Sequence, residues 1–265
     1  MKARITILMS VYNCESTLEE ALDSLYNQTY KNFKLVLCDD ASSDRTYEIA
    51  KKYAKKYDNI ILIKNEKNLS LPASLNKCLQ YVDTEYVARM DGDDISLPKR
   101  FEKEINFLDN NLEYALVSCP MIYFDETGNW GKGNAIEKPT KNDFKIGTPF
   151  CHAPSMIRTS VMREVEGYTV NRYLIRGQDY YLWYKIYKKG YVGYNLQQTL
   201  YKMRDGKDAM KRRTFKTRYY GFLVKNQILK DLGIKYYFVY SFSDLLKGFI
   251  PNSLMKIIRR HRMMQ

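Results

Sequence analysis

Tyr86-Val-Ala-Arg-Met-Asp-Gly-Asp-Asp94 joins a short apolar run to three carboxylates within four residues. The run reads as a buried strand, and the carboxylates stand where it ends. Acidic side chains this close repel one another unless a cation sits among them, and a hard divalent ion with oxygen ligands is the usual partner. An Asp/Gly-rich turn with solvated carboxylates fits the same spacing, so the surrounding sequence has to decide.

Upstream, residues 4–10, 33–38 and 60–64 are further short runs rich in β-branched residues, expected to be strands buried on both faces. Helical patterns lie between them. Residues 17–28 follow a capping box made by Ser16 and Glu19, and 44–57 carry Tyr47, Ala50, Tyr53, Ala54 and Tyr57 on one face. Residues 71–82 hold Pro72 in their first turn, where proline is tolerated. Four alternations of strand and helix predict an α/β fold with a doubly wound, mostly parallel sheet.

Ligands of such sheets bind at the carboxyl ends of the strands. Ser10, Tyr12 and Asn13 follow the first strand, Asp39, Asp40, Ser42, Ser43 and Asp44 the second, and the aspartate cluster the fourth. Three polar clusters distant in sequence are thus expected to meet at one edge. No G-x-G-x-x-G follows the first strand and no G-x-x-x-x-G-K-[ST] occurs, which disfavours a dinucleotide site or a P-loop. The phosphates of a nucleotide here would need a metal. A calcium loop starting at Asp91 is rejected, because Ser96 stands at the turn-glycine position and Pro98 interrupts it.

Downstream, the pattern predicts a helix over 99–110, a strand over 114–119 and an irregular Gly- and Asn-rich stretch through Gly133. A turn-rich segment, 148–155, contains His152. A helix runs from Tyr180 to Lys189, with Asp179 placed to cap it. From Lys207 the chain reads as helical, broken near Gly233, Gly248 and Pro251.

At 265 residues with 45% hydrophobic content, the chain can bury a full core. Five cysteines, an odd number without a C-x-x-C pair, read as reduced core thiols. The first dozen residues read as a strand rather than a signal peptide, and no run reaches the length of a membrane span. Charge is uneven. Lys202 to Gln265 carries sixteen Lys and Arg against four Asp and Glu, nearly all of the net +13. Those basic residues alternate with Tyr, Phe, Leu and Ile, a pattern suited to an anionic membrane surface.

Taken in order, several motifs resemble the family-2 glycosyltransferases of GT-A fold, especially the bacterial capsule and exopolysaccharide branch typified by amylovoran synthesis. They are Ser-Val-Tyr-Asn at 10–13, Gln28-Thr-Tyr, Cys38-Asp-Asp-Ala-Ser-Ser-Asp44, Asn68 with Asn76, Glu85 to Pro98, and Gln178-Asp179 followed by Leu182-Trp183. The resemblance implies a GT-A catalytic domain over 1–205, with a nucleotide-binding half (1–98) and an acceptor half (99–205). Residues 206–265 would be a basic amphipathic helical extension.

It also implies site roles. Asp40 would accept a hydrogen bond from the nucleobase, Tyr12 would lie against the base, and Asp91 would reach the ribose. Ser10, Asn13, Asn68, Asn76 and Gly92 would line the donor pocket, and Asp93 would bind Mn²⁺ or Mg²⁺. Asp179 would be the general base of an inverting displacement. His152, Gln178 and Arg89 are candidates for contacts to the donor phosphates or acceptor, although His152 fits a buried turn equally and Arg89 fits an ion pair with the cluster.

The implied reaction moves a sugar from a nucleotide sugar, by family habit a UDP-sugar, to a polyprenyl-diphosphate-linked saccharide. It would take place at the cytoplasmic face of the cell membrane, with 206–265 on the anionic surface. Two departures stand out. Gln178 replaces the usual glutamate, which predicts a lower pKa at Asp179 than in its relatives and a weaker base; Ser70 and Pro72 replace glycines common before the third helix. A nucleotide-sugar-binding protein without catalysis is the alternative that Gln178 motivates. A nucleic-acid-binding protein using the basic tail is another, but no nucleic-acid motif supports it and no nucleic-acid partner is expected.

Overall fold

In the computed structural model, the described residues are 2–174, 176–205 and 214–246, with Leu254 and Met263. The first part runs β1 (Ile5–Val11), α1 (Leu18–Tyr26), β2 (Phe33–Asp39), α2 (Thr46–Lys56), β3 (Ile60–Lys64), α3 (Leu71–Leu79), β4 (Tyr86–Met90). Then come β5 (Ile95–Ser96), α4 (Arg100–Asn110), β6 (Tyr114–Ser118), β7 (Met121–Asp125), β8 (Gly128–Lys132), β9 (Met156–Arg158) and α5 (Thr159–Glu164). The remainder is α6 (Gln178–Lys188), β10 (Val192–Asn195), β11 (Tyr201–Arg204), α7 (Phe215–Asp231) and α8 (Tyr237–Leu246).

The main sheet has seven strands in the order β10-β6-β9-β4-β1-β2-β3, parallel except for β9, which runs antiparallel to both β4 and β6. Every residue of central β1 is buried. Its alternation divides the core. Ile5, Ile7, Met9 and Val11 face one cluster with Leu18, Ala21, Leu22 and Leu25 of α1, the i, i+3, i+4, i+7 stripe of an amphipathic helix. Leu8 and Val36 face the other, with Leu75 of α3 and Leu182, Trp183 and Ile186 of α6. Each buried Val, Leu, Ile or Met among them contributes about 1.5–3 kcal/mol. The halves 1–98 and 99–205 share this one sheet, since β6, β9 and β10 continue it.

Several expectations need correction. β3 is the edge strand and only half-buried, because no neighbour covers its outer side. The Ser16–Glu19 capping box does not form: the helix starts at Leu18 with Thr17 as N-cap and no side-chain cap bond. Thr17 Oγ1 instead donates to the Gly92 carbonyl at 2.9 Å, and Glu19 pairs with Lys52. The stretch through Gly133, expected to be irregular, contains the β7–β8 hairpin of a second sheet ordered β5-β11-β7-β8, turning at Gly128 with φ +110°. Gly177, not Asp179, is the N-cap of α6.

The basic extension is docked rather than detached over α7, where Ile228 and Leu229 are fully buried in the second core cluster. The break at Gly233 is present, with φ +71°; those expected at Gly248 and Pro251 lie outside the described residues. No described helix is long and apolar enough to cross a membrane.

Candidate functional site

The loops after β1, β2, β3 and β4 meet at the carboxyl edge of the sheet, as the alternation predicts. Asn13, Ala41 and Ser70 there have positive φ (52°, 61° and 76°), three of the five described non-glycine residues that do. Strained backbone of this kind persists where the surroundings over-determine it, commonly at binding sites. Ser43 N–H donates to Asn13 Oδ1 at 2.9 Å and Asn13 N–H to Ser42 Oγ at 3.0 Å, locking the first two loops together. Ser10 is buried beneath them, while Tyr12 is 49% exposed and leaves its ring free to meet a flat ligand.

Asp40 is 3% exposed and held by Asn65 Nδ2 (2.7 Å) and Leu69 N–H (2.8 Å), both on Oδ1. Asn65 also donates to Ser74 and accepts from Lys77, so it fixes the orientation of that carboxylate. It follows directly on β3, the rule that singled out the other loops, yet was passed over. Asn68 closes a local turn on Ser70 N–H. Asn76 has both ends of its amide on the Tyr168 backbone, at 2.7 and 2.8 Å. Its geometry is that of a strut to residue 168 rather than of a donor-binding group.

The aspartates after β4 have three different environments. Asp91 pairs with Arg89, and its N–H donates to Tyr201 Oη at 3.2 Å. Asp94 is buried and accepts Arg204 N–H at 2.8 Å. Asp93 carries the one carboxylate of the three not tied to a cation or to another residue's backbone among the described residues; it faces solvent, while protein crowding and the Asp91 charge push its pKa up. Gly92 is required by space, since a Cβ would lie 2.7 Å from Val11 Cγ1. Gln28, fully buried, reaches across to Ser96, Leu97 and Phe101, anchoring the segment behind the cluster.

Arg89 is buried and spends its guanidinium on Asp91 and the Met90 carbonyl, so of its two expected roles the ion pair is the one formed. His152 Nε2 is 2.8 Å from Tyr168 Oη. Burial and the Arg89 charge hold its pKa well below the ordinary value, so the ring is neutral at neutral pH. Gln178 folds back, its Oε1 accepting Gly177 N–H at 3.1 Å. Asp179, in the first turn of α6, is half-buried and densely surrounded by protein, and this desolvation raises its carboxyl pKa. α6 leads into β10, which runs parallel to β6, so the first turn of α6 with Asp179 lies toward the carboxyl edge of the same sheet.

Tyr201, Arg204 and Tyr168 escaped the sequence reading. Tyr201 is fully buried between the Asp91 backbone and the Arg100 guanidinium, 5.2 Å from its ring. Arg204 clasps the cluster, donating from its backbone to Asp94 and from Nε to the Asp93 carbonyl while pairing with Glu20. Tyr201 and Arg204 each lie 110 residues beyond the aspartate they bond, and Tyr168 meets His152 and Asn76 instead; no local motif marks any of them.

Beneath the cluster, Arg100 and Glu104 form a fully buried ion pair, and Arg100 Nη2 donates to the Arg89 carbonyl at 2.9 Å. Burial pushes Glu104 up to about 7. Arg100→Met is expected to lower unfolding free energy by about 3–5 kcal/mol by stranding Glu104, and Arg100→Met with Glu104→Met to recover most of it. Urea unfolding of the two variants checks this.

Comparison with known proteins shows the family and the fold. A model of Glycosyl transferase family 2 matches residues 6–166. EpsE of Bacillus subtilis (strain 168), named as a glycosyltransferase, is 40% identical over 263 residues, 98% of this chain and 95% of that protein. The amylovoran biosynthesis glycosyltransferase AmsE of Erwinia amylovora is 33% identical over 78% of this chain and 79% of its own. WfaP of Escherichia coli, a UDP-Glc:alpha-D-GlcNAc-diphosphoundecaprenol beta-1,3-glucosyltransferase, is 26% identical over 92% and 94%.

Among solved structures, S. aureus TarS 1–349 in complex with UDP-GlcNAc superposes with a TM-score of 0.70 at 19% identity, covering 94% of this chain and 71% of that one. The mannosyltransferase PcManGT from Pyrobaculum calidifontis, in complex with GDP-Man and Mn²⁺, does so with 0.65 at 17% identity, covering 97% and 79%. The fold is GT-A.

Proposed function

This chain belongs to glycosyl transferase family 2, and from that premise we propose that it is an inverting transferase moving a sugar from a nucleotide sugar, a UDP-sugar first, to a saccharide on polyprenyl diphosphate. The setting is exopolysaccharide, capsule or O-antigen synthesis. The observation that supports this reading most is topological: the loops carrying Asp40, Asp91 and Asp93 follow β2 and β4 at the carboxyl edge of the sheet, and Asp179 stands in the first turn of the helix that leads into β10 of the same sheet. Relatives named for UDP-Glc or UDP-Gal transfer to diphosphoundecaprenol-linked GlcNAc support the donor and acceptor class.

Asp40, oriented by Asn65, would take a nucleobase N–H on its remaining lone pairs, with the exposed Tyr12 ring against the base. Asp91, steadied by Arg89 and the Tyr201 hydroxyl, would reach the ribose. No group of three or more His, Cys, Asp or Glu among the described residues is arranged to hold a metal alone. Asp93 nonetheless fits one: its carboxylate is untied, beside other negative charge, and a Mg²⁺-like ion bound through one or two carboxylates is completed by substrate phosphates. When bound, Mn²⁺ or Mg²⁺ supplies Lewis-acid stabilisation of the departing diphosphate.

Asp179, ionised and partly desolvated, would accept the proton of the acceptor hydroxyl as its oxygen bonds to the anomeric carbon. The bond from that carbon to the diphosphate oxygen breaks on the opposite side, inverting the configuration. Neutral His152, held by Tyr168, adds no competing positive charge near the base. Release of nucleoside diphosphate from a panel of UDP-, GDP- and dTDP-sugars tests this reading. Turnover of one donor supports it, and binding of nucleotide with no turnover of any donor alongside lipid-linked acceptors removes it.

The α7–α8 hairpin would hold the enzyme peripherally on an anionic cytoplasmic leaflet. Tyr236, Phe238, Val239 and Leu246 are each at least half exposed, and Phe238 stacks on Phe242 at 5.7 Å, an apolar face within the most basic region of the chain. The double substitution Phe238→Ser, Phe242→Ser is expected to weaken binding to phosphatidylglycerol vesicles at least tenfold without changing nucleotide affinity. Co-sedimentation at two salt concentrations checks it; equal pelleting of the variant would remove the membrane assignment.

A further inference from the structure

A groove of about 250 Å³ lies between the Arg172–Leu174 turn, α6 and α7. Tyr173, Leu174, Tyr181, Leu223 and Val224 make its walls, with Thr169 at one end. We propose that it seats the first isoprene units of a polyprenyl-diphosphate acceptor, an inference that rests on the transferase reading above.

Position is the first argument. The chain leaves the site at Tyr168, whose hydroxyl meets His152, and re-enters it at Asp179. Thr169, Asn171, Tyr173 and Leu174, from the stretch between them, form one wall of the groove, and α6, whose first turn holds the base, forms another through Tyr181. The groove is therefore separated from the catalytic carboxylate by a single excursion of chain. The donor loops after β1 and β2 contribute nothing to it.

Chemistry is the second. Its walls are aromatic and aliphatic, with few polar groups, so it offers a sugar or nucleotide too few partners for their hydroxyls. Its volume lies below the roughly 300–1,000 Å³ of pockets that enclose whole ligands, which suits a segment of a longer chain. Charge at the rim fits the other end of such a lipid: Arg172 sits 4.8 Å from the Tyr173 ring, and Lys216 sits 5.8 Å from Tyr220, which packs edge-on against Tyr173 at 5.0 Å. A diphosphate carried on an isoprenoid would find two cations beside the apolar slot.

Continuity is the third. Tyr220, Leu223, Val224 and Gln227 fall at i, i+3, i+4 and i+7 on one face of α7. The adjoining Tyr219 and Phe222 lead to Phe238 and Phe242 of α8, a continuous apolar path to the surface assigned to the membrane.

Photolabelling of the full chain with a benzophenone-bearing farnesyl diphosphate tests the proposal. Adducts are expected in the peptides of α6 and α7 that contain Tyr181 and Leu223. Farnesyl diphosphate should compete, and inorganic diphosphate or phosphatidylglycerol should not. Leu223→Asp, at an exposed position, and Thr169→Trp, which fills the groove without charge, should each cut labelling at least tenfold while UDP binding is unchanged. Labelling confined to other peptides, competition by phosphatidylglycerol, or unchanged labelling of both variants overturns it. An enzyme that transfers sugar but is not labelled in the groove keeps the functional reading and loses this one; labelling without donor turnover does the reverse.

Discussion

Asp179→Asn is expected to slow sugar transfer by about 10²–10⁴-fold, the range a positioned general base contributes. UDP affinity should stay within about twofold, because the Asp40 and Asp91 contacts lie on other elements. The pH profile gives a sharper readout. Burial raises the Asp179 carboxyl above its ordinary value, which is about 3.9. The base works when deprotonated, so kcat is full above the raised pKa and falls as pH drops through it. Asn at this position should remove that acid limb and leave a low, flat rate. A variant that retains both the rate and the limb would make Asp179 a structural residue of the first turn of α6.

Asp93→Ala is the second large effect. Stabilising the departing diphosphate by a metal amounts to several kcal/mol, which corresponds to roughly 10³-fold in rate at 1.36 kcal/mol per decade. The variant should lose donor turnover by about that factor and lose its dependence on added Mn²⁺, so that EDTA no longer changes the residual rate. Folding should be unaffected. The Asp93 carboxylate is exposed and bears no structural ion pair, whereas Asp94 receives Arg204 N–H and is buried. Asp94→Ala should therefore act through stability where Asp93→Ala acts through turnover, a contrast that thermal melts of both variants separate.

The aspartates look equivalent along the sequence and become distinct only through Arg89, Tyr201 and Arg204. β1, β2 and β4 were legible because their apolar runs are buried in a parallel sheet, and β3 was legible from the same pattern although it lies half-buried at the edge; the two-residue β5 was not. β9 was not: three residues, Met156–Arg158, inserted antiparallel between β4 and β6 carry no periodicity. The carboxyl-edge rule located Asp40 and the 91–94 cluster correctly because topology alone brings those loops together.

Roles that depend on side-chain partners were less legible. Asn76 turned out to brace Tyr168, and Thr17 was drawn from capping its helix to holding the Gly92 carbonyl. At Asp179 the sequence shows only the neighbouring charge that Gln178 removes, while the burial that raises its carboxyl above the free value comes from packing. A charge lost beside a carboxylate is visible in sequence; the protein packed around it is not.

The most direct test of the central claim is transfer of labelled sugar from the accepted nucleotide sugar to a synthetic diphosphoundecaprenol-linked GlcNAc acceptor, with the anomeric configuration of the product read by NMR. The account predicts label in the lipid phase, joined with configuration opposite to the donor and lost in Asp179→Asn. A product with retained configuration, or label that stays in the aqueous phase while the donor is consumed, would contradict it.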